Sequence, residues 1–268
     1  MDQPADIIYK QFPPHETLAP YIDAFWTVTG DNTTYIPDKI LPDGCVDIIL
    51  NTGPCFIADQ SAVQLNSGQA YLIGTMTRYK EMVRPPRTRL TGIRFKPGGF
   101  PFFYAPSLLK DTADRVVEFD NRLLPAIDEE PRNLPALLNR FFCDRLASPP
   151  QQILTLITAI HEAKGRITVS ELAKRNFITI RQLERFFDLH LAIGPKEYIN
   201  FTRYQTALAS IRNDHSRKNL LDIAFECGYY DHAHLSNEIK KYTGSMPSVL
   251  SMPSVLSMPS FLSMPSAL

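Results

Sequence analysis

The side chains best placed for chemistry lie in the last third of this 268-residue chain, and they are hydrogen-bonding groups rather than nucleophiles. In ITVSELAKRNFITIRQLERFFDLHL, residues 167–191, Thr168 and Glu171 have capping-box spacing for a short helix in which Leu172 and Ala173 face inward; Asn176 and Phe177 end it. Thr179 with Gln182 repeats that spacing and opens a second helix. There Leu183, Phe186 and Phe187 share one apolar face, which leaves Arg181, Gln182, Glu184, Arg185 and Asp188 pointing outward. Two short helices across a tight turn, the second bearing long polar side chains, read as a helix-turn-helix.

The pattern recurs in NLLDIAFECGYYDHAHLSNEIKKYTG, residues 219–244. Asp222 to Glu226 forms the first helix and Gly228 stops it. Asp231 caps a second helix with Leu235 and Ile239 inward and His232, Ala233, Ser236, Asn237, Lys240 and Lys241 outward. A single copy is compatible with an ordinary helical hairpin; the duplication points to a paired reading surface. Between the copies, residues 195–212 read as one amphipathic helix, roughly 27 Å long at 1.5 Å per residue. Such a spacer holds the units about one DNA turn apart, in successive major grooves.

Other residues invite sharper chemistry and do not sustain it. Cys45, in the turn-like Pro42-Asp43-Gly44-Cys45, has only acids nearby in sequence, which oppose a thiolate, so a structural thiol is favoured over an alkyl acceptor. His232 and His234 form an HxH pair that a helix points in different directions, against a shared metal. Trp26, the single tryptophan, reads as core before ligand platform. Arg84, Arg87, Arg89, Arg94 and Lys96 read first as exposed strand and loop charge, with an anionic effector as the minority option. There is no serine nucleophile elbow, phosphate-cradling glycine loop or metal-type cluster, so no enzyme and no cofactor are expected.

The elements that must carry these residues divide the chain. The first ~105 residues alternate short apolar runs with turn formers, at 21–29, 46–50, 70–74 and 89–95, and residues 1–148 read as a β-rich domain. From Asn133 the apolar spacing becomes three and four, and Ser148-Pro149-Pro150 marks the boundary with an all-α domain over 149–250. Four copies of Ser-Met-Pro-Ser-X-Leu fill the last 24 residues and read as extended or disordered, with 251–268 set apart as a tail region. Net charge is zero, but from residue 151 onward there are 13 basic and 10 acidic residues against 15 and 18 before it. That asymmetry is a weak pointer to nucleic acid. Four scattered cysteines, an acidic N-terminus and no long apolar run lead to the expectation of a reduced, cytoplasmic protein without a membrane partner.

At TVSELA, RQLERFF, GPKEYI and DIAFECGYYDHAHLSNEIKKYTGSMPS the sequence resembles the DNA-binding region of AraC/XylS-family transcription regulators, over residues 152–248. PYIDAFW, ILPDGCVDIIL, TGIRFKPGGF and DRVVEF resemble a β-rich sensor-type domain attached to such regulators. The resemblance implies an α+β chain: a sensor domain followed by two helix-turn-helix units on a long helix. Double-stranded DNA is the implied partner, joined by RNA polymerase, a small-molecule effector and, as an option, a second copy of the chain. By residue, it implies base contacts from Arg181, Gln182, Glu184 and Arg185, with Arg suited to guanine, Gln to adenine and Glu to the cytosine amino group. In the second unit the corresponding residues are His232, Ala233, Ser236 and Asn237 behind the cap Asp231, with Thr179, Lys240 and Lys241 placed for phosphates. Trp26, Cys45 and Arg94 are the candidate effector contacts. The chain departs from the family pattern at Ala192, often Gly; at Asp188, often basic; and at Asn237, often Arg. After Pro247-Ser248 the repeat stands where an aromatic and a basic residue are usual.

Overall fold

The computed structural model describes residues 7–30, 36–57, 63–127, 133–147, 152–213 and 219–250, with backbone alone at 7, 36–38 and 213. The proposed domain boundary at 148–150 and the tail region 251–268 lie outside these residues. Two compact units are present: Met1–Lys39, Cys45–Thr75 and Lys80–Pro149 form one, and Ile40–Gly44, Met76–Tyr79 and Pro150–Leu268 the other.

The first unit is built on strands β1 (Ile7–Phe12), β2 (Ile22–Gly30), β3 (Ile36–Ile40), β4 (Val46–Asn51), β5 (Phe56–Ile57), β6 (Gln64–Leu65), β7 (Gln69–Ile73), β8 (Lys80–Arg84), β9 (Arg89–Phe95) and β10 (Val116–Phe119). Six of them make one sheet in the order β1-β2-β9-β4-β7-β10, every neighbour antiparallel. The four apolar runs expected as strands are β2, β4, β7 and β9. The edges β1 and β10 and the short two-stranded pairs β3-β8 and β5-β6 were not among the runs read as strands. On one face Phe25 and Phe95 meet helix α1 (Leu134–Arg145), whose Leu134, Leu138 and Phe142 form a stripe of spacing four. Phe142 is fully enclosed by the rings of Phe25, Phe95, Phe103 and Tyr104, and truncating it to Ala would cost roughly 3–5 kcal/mol.

The second unit contains α2 (Gln152–Glu162), α3 (Val169–Arg175), α4 (Ile180–Leu191), α5 (Pro195–Asn213), α6 (Leu220–Glu226), α7 (His232–Thr243) and α8 (Pro247–Leu250). Alpha-5 was expected to be amphipathic. It instead buries Tyr198, Ile199, Phe201, Thr202, Tyr204, Ala207, Leu208 and Ile211, because helices pack against it on several sides. Its aromatic residues form a chain of ring contacts, Phe187 to Tyr198 to Phe201 to Tyr204 to Tyr242, running from α4 to α7. The first copy of the terminal repeat is also not extended: Pro247 and Leu250 are buried in the turn of α8.

Candidate nucleic-acid interface

In the first helix-turn-helix the sequence dictates both helix starts. Thr168 and Glu171 form a full capping box: the Glu171 amide donates to Thr168 Oγ1 at 3.1 Å and the Thr168 amide to Glu171 Oε2 at 2.9 Å. That bonding holds the Glu171 carboxyl below its ordinary pKa. Thr179 and Gln182 repeat the box at 3.2 and 2.9 Å. Leu183, Phe187, His190 and Leu191 then fix one side of α4 in the core, while Phe186 is only half-buried because it lies at the edge of that stripe. Arg181, Gln182, Glu184, Arg185 and Asp188 are all exposed on the other side. Gln182 spends its amide oxygen on the cap, so its amide nitrogen is what it can offer outward; the Thr179 hydroxyl is engaged in the same box.

The second unit uses Asn219 and Asp222 as the box of α6 and Asp231 as the cap of α7, whose carboxylate accepts from the His234 amide at 2.7 Å. His232, Ala233, Asn237, Lys240 and Lys241 are exposed along α7. Two of the expected outward residues are placed differently. Ser236 is 9% exposed and its hydroxyl donates to the His232 carbonyl one turn back at 2.7 Å, so it packs instead of reading. The Lys241 ammonium sits 2.7 Å from Glu197 of α5, and the same carboxylate oxygen accepts from the Tyr242 hydroxyl at 3.2 Å, so this cation is partly neutralised within the protein. A pair four residues apart in one helix would have been legible; a pair 44 residues apart was not.

Sequence reasoning missed three exposed apolar groups beside the recognition helices. Phe177, in the first turn, is 96% exposed; Ile180, the first residue of α4, is exposed; Tyr230, just before the cap of α7, is 85% exposed. For Phe177 and Tyr230 the signal was available, since both stand in the turns outside the helical spacing; Ile180 falls on the spacing of Leu183 and Phe187 and is exposed because it is the first residue of α4.

In the sheet unit, Trp26 and Arg94, two of the three candidate effector residues, converge. Trp26 Nε1 donates to Asp47 Oδ1 at 3.0 Å and Arg94 Nε donates to the same oxygen at 3.3 Å. Trp26 is 4% and Arg94 3% exposed, so Arg94, like Arg84, is buried, contrary to the expectation of exposed strand charge. The physical reason is pairing with Asp47 directly across the β4-β9 ladder. Gly92 faces Trp26 across the β2-β9 pair, where any Cβ would strike the indole. The bulge residue Asp23 lies near Arg94 and has its carboxyl pKa pushed up, chiefly by burial. Burial likewise raises the Tyr9 phenol, whose ring meets Trp26 at 6.3 Å. Cys45 is 6% exposed and in no disulfide.

Two protein families match the chain. A domain of unknown function, DUF6597, matches residues 10–118, and a helix-turn-helix domain matches residues 172–251. Residues 172–251 belong to a helix-turn-helix domain. It follows a β-rich region that matches the domain of unknown function. Solved structures with similarity include an AraC-type transcriptional regulator from Chromobacterium violaceum, 22% identical over 41% of this chain and 96% of that one, TM-score 0.36. ToxT from Vibrio cholerae is 11% identical over 84% and 97%, TM-score 0.45. The DNA-binding domain of AdpA, solved with a target DNA, is 19% identical over 41% and 94%, TM-score 0.35. No protein with a curated description matches. Among the described residues no cluster of metal-binding side chains occurs and no helix is long and apolar enough to cross a membrane.

Proposed function

We propose that the chain is a one-component, cytoplasmic transcription regulator whose AraC-type domain reads two successive major grooves and whose β-rich domain senses a small molecule. The observation that carries the reading is the duplication: two capped recognition helices, α4 and α7, each with one side in the core and the other exposed, mounted on α5. Arg181, Glu184 and Arg185 read bases from α4, with the Gln182 amide nitrogen beside them; His232, Ala233 and Asn237 read from α7. Lys240 neutralises phosphate. Thr179 and Asp231 act by fixing the helix starts that approach the DNA backbone. Ile180 supplies an apolar contact of the kind that suits a thymine methyl.

For sensing, the buried Trp26–Asp47–Arg94 set supports a polar or anionic effector, since a ligand competing for Asp47 or Arg94 would repack the β2-β9-β4 centre. RNA polymerase and a second copy of the chain are the protein partners of this reading. Selection from random duplex DNA tests it. The purified chain is expected to enrich a two-part motif with centres about 10 base pairs apart. Enrichment of a single short element, or none, would refute the two-groove reading.

A further inference from the structure

A loop at the entrance of the first helix-turn-helix grips the turn of the second. After α2 the chain turns through Lys164 and Gly165, both at positive φ, and Gly165 lies so close to the α5 backbone at Ile199 and Arg203 that any Cβ would collide with it. This docking sets the base of Arg166. Its guanidinium Nη1 donates to the Glu226 carbonyl at the end of α6, at 3.3 Å, and its side chain lies 3.3–3.6 Å from where a Cβ on Gly228 would be. A cation on the last carbonyls of a helix also meets the negative end of its dipole. From α5, Arg203 reaches the other side of the same turn: Nη1 is 3.5 Å from the Gly228 carbonyl, its guanidinium carbon is 5.4 Å from the Tyr229 ring centroid, and Nη2 is held by Asn200 at 2.6 Å. Arg203 belongs to the helix both units share, whereas Arg166 belongs to the first unit's entrance.

We infer that Arg166 is a positioning residue for DNA recognition: by tying the α2-α3 loop to the α6-α7 turn it fixes one relative placement of the two recognition helices and so selects the spacing between the two halves of an operator. This rests on the two-groove reading. One inserted base pair moves the second half by about 3.4 Å and turns it by roughly 35°, which a rigid pair of reading heads cannot follow.

The test uses the full chain, its selected operator, the operator with one base pair inserted between its halves, and a duplex carrying the first half alone. The unaltered protein should lose at least about tenfold in affinity on insertion. Arg166→Ala, and Arg166→Met, which keeps the methylenes against Gly228 and deletes the donors, should shrink that penalty to within about threefold while binding the single half as before; Arg166→Lys should restore it in part. An unchanged insertion penalty in both variants would overturn the inference alone. Equal loss on the single half would also overturn it, marking Arg166 as a stability element. Absence of any penalty in the unaltered protein would overturn the two-groove reading and the inference together.

Discussion

In the first helix-turn-helix the left-handed position of the turn is held by Phe177, φ +54°, and the one closing the recognition helix by Ala192, φ +58°. In the second, Gly228, φ +79°, and Gly244, φ +68°, stand at the matching places. A side chain in that region costs roughly 1–2 kcal/mol. The first unit carries the cost and offsets it with reciprocal capping boxes on both of its helices, while the second relaxes its turns with glycine, caps α7 with Asp231 and is gripped from outside by Arg166 and Arg203. The reading surfaces differ in the same sense. The first presents two arginines and two acids; the second presents short or neutral side chains, with one of its lysines tied to Glu197. The first unit is therefore self-supporting and charged, and the second is positioned by its neighbours.

Core truncation should not distinguish them. Leu183→Ala and Leu235→Ala each empty a fully buried site in a recognition helix and should each cost roughly 2–5 kcal/mol, seen as a lower Tm of the full chain and lost operator binding. A silent substitution at either would mean that helix is not anchored as described.

Surface truncation should distinguish them sharply. Arg185→Ala is expected to relax base preference at one operator position by about 1–3 kcal/mol, while Lys240→Ala weakens all sites and lowers the salt slope by about one. Lys241→Ala should move the salt slope clearly less than Lys240→Ala, because Glu197 already neutralises part of its charge. Affinity across an operator panel at several salt concentrations checks all three, and equal slopes for the two lysine variants would remove the distinction.

Exchanging the turn residues should sort the units with opposite signs. Phe177→Gly and Ala192→Gly ought to raise stability by up to about 1 kcal/mol, whereas Gly228→Ala and Gly244→Ala ought to lower it by about 1 kcal/mol or more. Thermal melts of the four variants give the answer.

The smallest effect is acid sensitivity. His161, half-buried on α2 and bonded to the Tyr198 hydroxyl at 2.8 Å, and His190, in the core of the first helix-turn-helix, both have pKa values depressed by burial. Each is neutral in the fold, so the stability it contributes is present above the unfolded value of about 6.5 and is lost as pH falls toward the folded one. The helical circular-dichroism melt of the full chain should soften below that pH, and His161→Gln with His190→Gln should flatten the dependence. The fluorescence of Trp26, the single tryptophan, follows the sheet unit separately.

Legibility followed the range of the interactions involved. The capping boxes at Thr168 and Thr179, the inward Leu183 and Leu235 and the four strands at the centre of the sheet depend on spacing within one element, and the sequence states that spacing. Ser236, Arg94, Lys241 and Arg166 depend on what another element brings to them. Ser236 has polar chemistry on a helix that buries it; Arg94 looks like surface charge until β4 places Asp47 opposite. The Arg166 contact joins residues 60 apart, which no periodicity marks.

The central claim is that two reading heads engage one face of the duplex, and hydroxyl-radical footprinting of the full chain on its selected operator tests it most directly. Two protected patches centred about 10 base pairs apart on the same face are expected, the first fading selectively in Arg185→Ala and the second in Asn237→Ala. A single protected patch, or two that fade together in either variant, would contradict it.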